Sequence, residues 1–311
     1  MRSSTMDVHP VITAMLEKAR AAGVPALSAG SPAAGRAVMA LSRPVLGAGR
    51  PVGHREMIDM PTRAGTVPAL LLRPAVPARG TIVYLHGGGW VIGAIADYEV
   101  LARALCVETG CAVLVPEYRL APEHPFPAGL EDCEDALLWV AASGAGLAGP
   151  IVVAGDSAGG NLATVAAGSL AGRVPLAGQV LIYPAVDTDL TRESYRLFGT
   201  GDVPLSRADM LWFYRHYAPE AAWTDPRIAP LRAASMLGQP PAVVITAEND
   251  ILRDEGEAYA ARLADAGVAV TQRRYAGMTH GFMRYHDLVD VAGEAMRDMA
   301  ADVVRLCGVS D

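Results

Sequence analysis

From about residue 67 onward, short apolar runs alternate with longer stretches of helical period, the pattern of a mostly parallel sheet with helices on both faces. Seven strands are expected, at Val67–Arg73, Thr81–Leu85, Ala112–Pro116, Ile151–Ala154, Gln179–Tyr183, Ala242–Ala247 and Val268–Tyr275. Runs such as Ile-Val-Val-Ala at 151–154 are apolar without alternation, as strands buried on both faces must be. Between the strands, Glu131–Ala142 and Arg253–Ala266 begin acidic and continue apolar at helical spacing. That suits crossover helices, whose N-termini favour negative charge. The fold class is α/β.

Two regions break the alternation. In residues 1–50, Pro10 opens a helical pattern that gathers Val11/Met15 and Ile12/Leu16/Ala19 on one side and stops at Gly23-Val24-Pro25. A second, Ala-rich segment follows from Ser31 to Leu41, so these residues predict a helical arm. In residues 187–225, Trp212, Phe213, Tyr214 and Tyr217, with Met210 nearby, concentrate the aromatics of a chain that is only 6% aromatic. This insertion falls between the fifth and sixth expected strands. With the arm it predicts a cap over the carboxyl edge of the sheet, where doubly wound folds bind ligands. Met210, Trp212, Phe213 and Tyr214 become candidate pocket residues, together with Trp90. The plainer alternative is that these helices only extend the core. No repeat or linker divides the rest, so 51–311 reads as one domain carrying the insertion.

Composition narrows the partners. The 311 residues are 51% hydrophobic and 19% charged, well outside the range of disordered chains. A net charge of −7 and a single lysine, Lys18, give no field that would collect polyanions, so nucleic acid is not an expected partner. The four cysteines, Cys106, Cys111, Cys133 and Cys307, have neither CxxC spacing nor the density of a disulfide scaffold, and read as buried thiols in a reducing compartment. Asp7, Glu17 and Lys18 interrupt any export signal, and no run approaches the ~18 apolar residues of a membrane span. A cytoplasmic protein without membrane insertion is the expectation.

The chemistry starts at Ile151-Val-Val-Ala-Gly-Asp-Ser-Ala-Gly-Gly-Asn161, a strand running into Gly155-x-Ser157-x-Gly159 and then a helix. A serine on so tight a turn is pushed into the open, and only small neighbours let the chain fold back. The helix start near Ala158 adds free N–H groups and a positive dipole end, a sink for a developing oxyanion. The second piece is His86-Gly87-Gly88-Gly89-Trp90, directly after the strand Thr81–Leu85. Its glycines leave backbone N–H groups exposed, so the amides of Gly88, Gly89 and Ala158 are the expected oxyanion hole, with His86 bracing the loop.

A serine hydroxyl needs a base. Of seven histidines, His280 in Tyr275-Ala-Gly-Met-Thr-His-Gly-Phe282 follows the last strand and so shares the carboxyl edge with Ser157. His9 and His54 precede the sheet, His124 lies between prolines, His216 belongs to the aromatic insertion, and His286 is expected inside a helix. The acid that fixes the imidazole is expected to be Asp250, at the end of the strand Ala242–Ala247. Glu248 should still run along the strand, and Asp254 and Glu255 fall in the first helical turn.

Five segments together resemble the bacterial hormone-sensitive-lipase-like (family IV) carboxylesterases. They are His86-Gly-Gly-Gly-Trp, Glu117-Tyr-Arg-Leu-Ala-Pro-Glu-His-Pro-Phe-Pro-Ala128, Gly155-Asp-Ser-Ala-Gly-Gly160, Asp250-Ile-Leu-Arg-Asp-Glu-Gly256 and His280-Gly-Phe282. The match runs in register from about residue 67 to 285. The resemblance implies an eight-stranded α/β-hydrolase sheet, a helical cap, and hydrolysis of small carboxylic esters by Ser157, His280 and Asp250 without a cofactor or metal. By the same analogy the last strand would offer an edge for a homodimer. Ile251 departs from the family, which often carries proline after the acid. Two other functions fit the fold, a non-catalytic small-molecule receptor and an amidase or peptidase. A receptor need not keep all three polar groups, and nothing in the sequence marks the amine protonation that an amidase requires.

Overall fold

The computed structural model describes residues 7–308. Three helices come first, α1 (Pro10–Ala21), α2 (Pro32–Ala40) and the short α3 (Arg43–Leu46). His9 and Ser31 cap α1 and α2 through their side chains, each helix having proline at its first position, where the missing N–H costs nothing. Then follow β1 (His54–Thr62), β2 (Gly65–Arg73), β3 (Thr81–Leu85), α4 (Ile95–Thr109), β4 (Ala112–Pro116), α5 (Ala128–Ala141), β5 (Ile151–Asp156), α6 (Ala158–Ser169) and β6 (Leu176–Ile182). The insertion supplies α7 (Glu193–Phe198) and α8 (Arg207–Tyr217), and β7 (Ala242–Asn249), α9 (Arg253–Asp265), β8 (Val270–Thr279) and α10 (Asp290–Leu306) complete the chain.

The eight strands form one sheet in the order β1-β2-β4-β3-β5-β6-β7-β8. β1 and β2 are antiparallel to each other and β2 is antiparallel to β4, whereas every pairing from β4 to β8 is parallel. Side chains alternate between two cores. On β3, Val83 and Leu85 join one and Ile82 and Tyr84 the other, and all four are fully buried.

The strand missing from the sequence expectation is β1. It is an edge strand whose His54, Arg55, Glu56 and Met57 are all exposed and which fully buries only Met60, so no apolar pattern announces it. Charged residues and Pro61 suit such an edge, since unpaired backbone groups there invite unwanted pairing. The other seven strands lie where expected, except that β6 starts earlier, at Leu176, and β8 extends to Thr279. His286 also differs from expectation. It closes a short 3₁₀ turn over Phe282–Tyr285 ahead of α10. Among the described residues no helix is long and apolar enough to cross a membrane.

One ion pair, its carboxylate fully buried and its guanidinium partly exposed, links the segment after β4 to α5. Asp132 on α5, fully buried, accepts from the backbone N–H of Arg119 at 2.9 Å and from its Nε and Nη2 at 2.8 Å each. The adjacent Tyr118 donates its hydroxyl to the His86 carbonyl at 2.7 Å. Removing Asp132 takes the acceptor from the Arg119 N–H and guanidinium. Asp132→Ala is therefore expected to cost ~2 kcal/mol in urea denaturation, the scale of hydrogen bonds to a charged group.

Candidate active site

The site grows from the turn between β5 and α6. Ser157 adopts φ 56° and ψ −119°, a conformation that residues with a Cβ rarely hold. The surroundings enforce it. A Cβ at Gly159 would lie 1.9 Å from the Leu85 carbonyl oxygen, and one at Gly155 2.3 Å from the Gly159 carbonyl oxygen, so α6 presses onto the ends of β3 and β5 with no room for a methyl group. The Ser157 N–H donates to the Ile182 carbonyl at 2.8 Å, anchoring the turn to β6.

His280 follows β8 and Asp250 follows β7, so two neighbouring strands deliver them to the same edge. His280 Nδ1 lies 2.8 Å from Asp250 Oδ2, and His280 Nε2 lies 3.0 Å from Ser157 Oγ. A carboxylate can only accept, so Nδ1 carries the ring proton and Nε2 is left to accept from the serine hydroxyl. Asp250 is fully buried, and its other oxygen accepts from the Leu252 N–H at 2.9 Å, which fixes the carboxylate. Ile251 keeps that turn closed without a proline.

Gly88 and Gly89 have φ of +119° and +57°, and a Cβ at either would strike Ile92 or the Phe213 ring. Among the described residues the N–H groups of Gly88, Gly89 and Ala158 donate to no acceptor in the protein. Asp156 holds their loop in place. Its carboxylate accepts from the Gly87 N–H at 2.8 Å and from the hydroxyls of Tyr84 and Tyr98 at 2.9 and 3.1 Å. Burial raises the Asp156 carboxyl above its ordinary range, opposed by these three hydrogen bonds. His86 is buried between Tyr98 and Tyr118, with Nδ1 2.8 Å from the Gly87 carbonyl, so it braces the loop and does not reach the serine. Glu255 on α9 accepts from the N–H groups of Val186 and Asp187, where the chain leaves the sheet toward α7. Burial pushes its carboxyl well above the usual range.

A cavity of about 460 Å³ opens onto this edge, and Ser157, His280, Gly88 and Gly89 line it. Its apolar wall comes from both irregular regions, with Leu16, Val24 and Val38 from the arm and Val203, Leu205 and Phe213 from the insertion. Of the five candidate pocket residues only Phe213 reaches the cavity. Trp90 is buried against Tyr217, their rings 4.4 Å apart and nearly parallel, and Tyr214 and Met210 are likewise buried in the core. Trp212 packs on Phe213 and His216, outside the cavity. The physical reason is helical geometry. Neighbours on α8 point in different directions, and the ring at 213 takes the direction of the glycine loop. Leu16 was already visible in the apolar stripe of α1, whereas Asp156 gave no signal beyond its place inside Gly-x-Ser.

The sheet and the edge it carries define an α/β-hydrolase. The chain belongs to that family, in its hormone-sensitive-lipase-like branch, and residues 82–284 match the family described as alpha/beta hydrolase fold. It is 37% identical over 300 residues to the carboxylic ester hydrolase LipN of Mycobacterium tuberculosis, covering 92% of this chain and 79% of that one. It is 38% identical over 251 residues to the ethyl acetate hydrolase of Pseudomonas putida, covering 77% and 79%. Among solved structures, a hyperthermophilic esterase of the archaeon Pyrobaculum calidifontis superposes with a TM-score of 0.91 at 36% identity, over 98% of this chain and 100% of that one.

The close approach at Gly159 predicts a contrast between two glycines. Gly159→Ala should destabilise by at least ~3 kcal/mol, because backbone and not a flexible side chain blocks the new methyl. Gly172→Ala has open space around it and only its φ of +77° to overcome, so about 1 kcal/mol is expected. Denaturation midpoints of the two variants check the difference.

Proposed function

We propose that this chain is a serine carboxylesterase acting on short- to medium-chain carboxylic esters through an acyl-enzyme. The observation that carries the proposal is the unbroken relay from Ser157 Oγ to His280 Nε2 and from His280 Nδ1 to Asp250, opening on the same cavity as two unoccupied amide donors. Ser157 attacks the ester carbonyl while His280 takes its proton, and the carbonyl oxygen, now negative, rests on the N–H groups of Gly88, Gly89 and Ala158. Asp250 stabilises the imidazolium that forms. His280 then returns the proton to the departing alcohol, leaving the acyl group on Ser157 Oγ. A water enters, gives its proton to His280, and attacks the acyl carbonyl, and the acid leaves as Ser157 Oγ regains its hydrogen. No redox change and no group beyond these side chains is needed.

The cavity's limited volume and mostly apolar wall, with Leu16 and Val38 lining it on the side of the arm, support soluble substrates of limited length. The esterase names of the relatives fit this reading.

Ser157→Ala is expected to lower turnover of an aryl butyrate at least ~10³-fold while leaving the thermal transition in place. Retained turnover would remove Ser157 from the mechanism. Across aryl esters of rising acyl length, kcat/KM is expected to peak between butanoate and octanoate, and Leu16→Trp to move the peak to shorter chains. A maximum on long-chain, emulsified esters would contradict the assigned pocket.

A further inference from the structure

The charges of the cavity wall balance in number but are not paired with one another. Four side chains other than the imidazole bring formal charge to its wall, Asp156, Asp209, Arg20 and Arg284. Both carboxylates are committed. Asp156 accepts from Gly87, Tyr84 and Tyr98, and Asp209 accepts from the N–H groups of Ser28 and Ser206 and from the Ser206 hydroxyl. The arginines are not matched in the same way. Arg20 donates to the Asp202 carbonyl at 2.9 Å and lies 3.9 Å from the Asp202 carboxylate, with both side chains more than half exposed. Arg284 has no carboxylate within 4 Å among the described residues.

The neighbours of Arg284 explain why. The carboxylate of Asp97, which stands closest in the sequence of contacts, is taken by Arg43 at 2.7 Å. Arg284 receives only the Asp97 backbone carbonyl, at 3.3 Å from Nε and 3.2 Å from Nη2, and the Ser42 hydroxyl at 2.7 Å. Its guanidinium lies over the Tyr98 ring, 5.2 Å from the centroid. These contacts hold Nε and Nη2, and among the described residues Nη1 donates to nothing. The cavity that holds Ser157 thus carries on its wall an oriented cation that feels Asp156 and Asp97 from a distance but has no carboxylate in direct contact among the described residues, one helical turn's length of sequence beyond His280.

We propose that Arg284 is a specificity-determining residue that pairs with a carboxylate carried by the substrate, so that the enzyme favours esters bearing an anionic group away from the scissile carbonyl. The inference rests on the carboxylesterase reading and deepens it. A guanidinium already fixed by a carbonyl, a hydroxyl and an aromatic face loses little freedom on pairing. Without such a partner, bringing a carboxylate into a largely apolar cavity would be strongly unfavourable. The substrate class is therefore monoesters of dicarboxylic acids, or acyl esters of hydroxy acids, the anion being on the acyl side in the first and on the alcohol side in the second.

The test compares kcat/KM for monoethyl succinate through monoethyl suberate, and for O-acetyl hydroxy acids of matching length, with that for neutral ethyl and acetyl esters of the same length. The wild-type enzyme is expected to turn over at least one anionic ester as efficiently as its neutral counterpart. In Arg284→Met that anionic-to-neutral ratio should fall about tenfold or more, chiefly through KM, as expected for losing a charge-assisted hydrogen bond, with Arg284→Lys intermediate. The series that responds, acyl or alcohol, assigns the side. An unchanged ratio in Arg284→Met, or neutral esters preferred at every length, overturns the proposal. Should Arg284→Met not fold, adipate as an inhibitor of neutral-ester hydrolysis by the wild type serves instead. Competitive inhibition that salt weakens and 1,6-hexanediol does not reproduce supports the pairing, and equal inhibition by the two overturns it. Labelling of Ser157 by an aryl phosphonate keeps the two readings apart. If Ser157 takes the label and the unlabelled enzyme hydrolyses neutral esters but is indifferent to the anion, only this inference is lost, whereas a chain that neither labels nor hydrolyses loses the esterase reading as well.

Discussion

The structure depends on the approach of α6 to the ends of β3 and β5. Gly159 sits where a single methyl group would overlap the Leu85 carbonyl, and that closeness forces Ser157 into its positive φ. Because the turn is tight, the serine hydroxyl leaves the sheet and the first amides of α6 stay free of intrahelical partners. Because β3 ends beside it, the Gly88–Gly89 loop lines the same cavity as Ser157. One steric constraint therefore sets the serine hydroxyl and the first amides of α6 together, and the strain it stores is offset by the two cores that sandwich the strands.

The remaining groups reach the edge by topology. β6, β7 and β8 are neighbours and parallel, so whatever follows each of them arrives on one side. Ile182 anchors the serine turn, Asp250 the imidazole, and His280 the hydroxyl. Behind them a buried acid, Asp156, fixes the loop after β3, and its neighbour in sequence is the serine itself. Positioning thus passes from strand order to side chain through short hydrogen bonds whose members are largely buried, where they are worth more than in water.

The arm and the insertion together bound the cavity at this edge. Residues 7–46 and the insertion before β7 meet over Ser157, and their apolar faces bound the cavity. Polar contacts at that roof are selective. Asp209 is consumed by helix capping on α8 and by Ser28 of the arm, which ties the arm to the insertion, whereas Nη1 of Arg284 donates to nothing among the described residues. A pocket shaped by hydrophobic contact can thus still carry a directed charge.

Residue order alone determined the parallel sheet, seven of its strands and the crossover helices, because strands buried on both faces and amphipathic helices leave strong periodic marks. It also singled out Ser157, Asp250 and His280, since each directly follows a strand and the carboxyl ends of parallel strands converge. Only the tertiary structure decided the rest. The edge strand β1 buries too little to leave a pattern, so its pairing with β2 is visible only once the sheet exists. On α8, one aromatic in a run of three faces the cavity, and that choice belongs to the packing of α8 against the glycine loop. Whether an arginine or an aspartate is neutralised depends on which partners lie across space, a fact of distance that no single stretch of sequence holds.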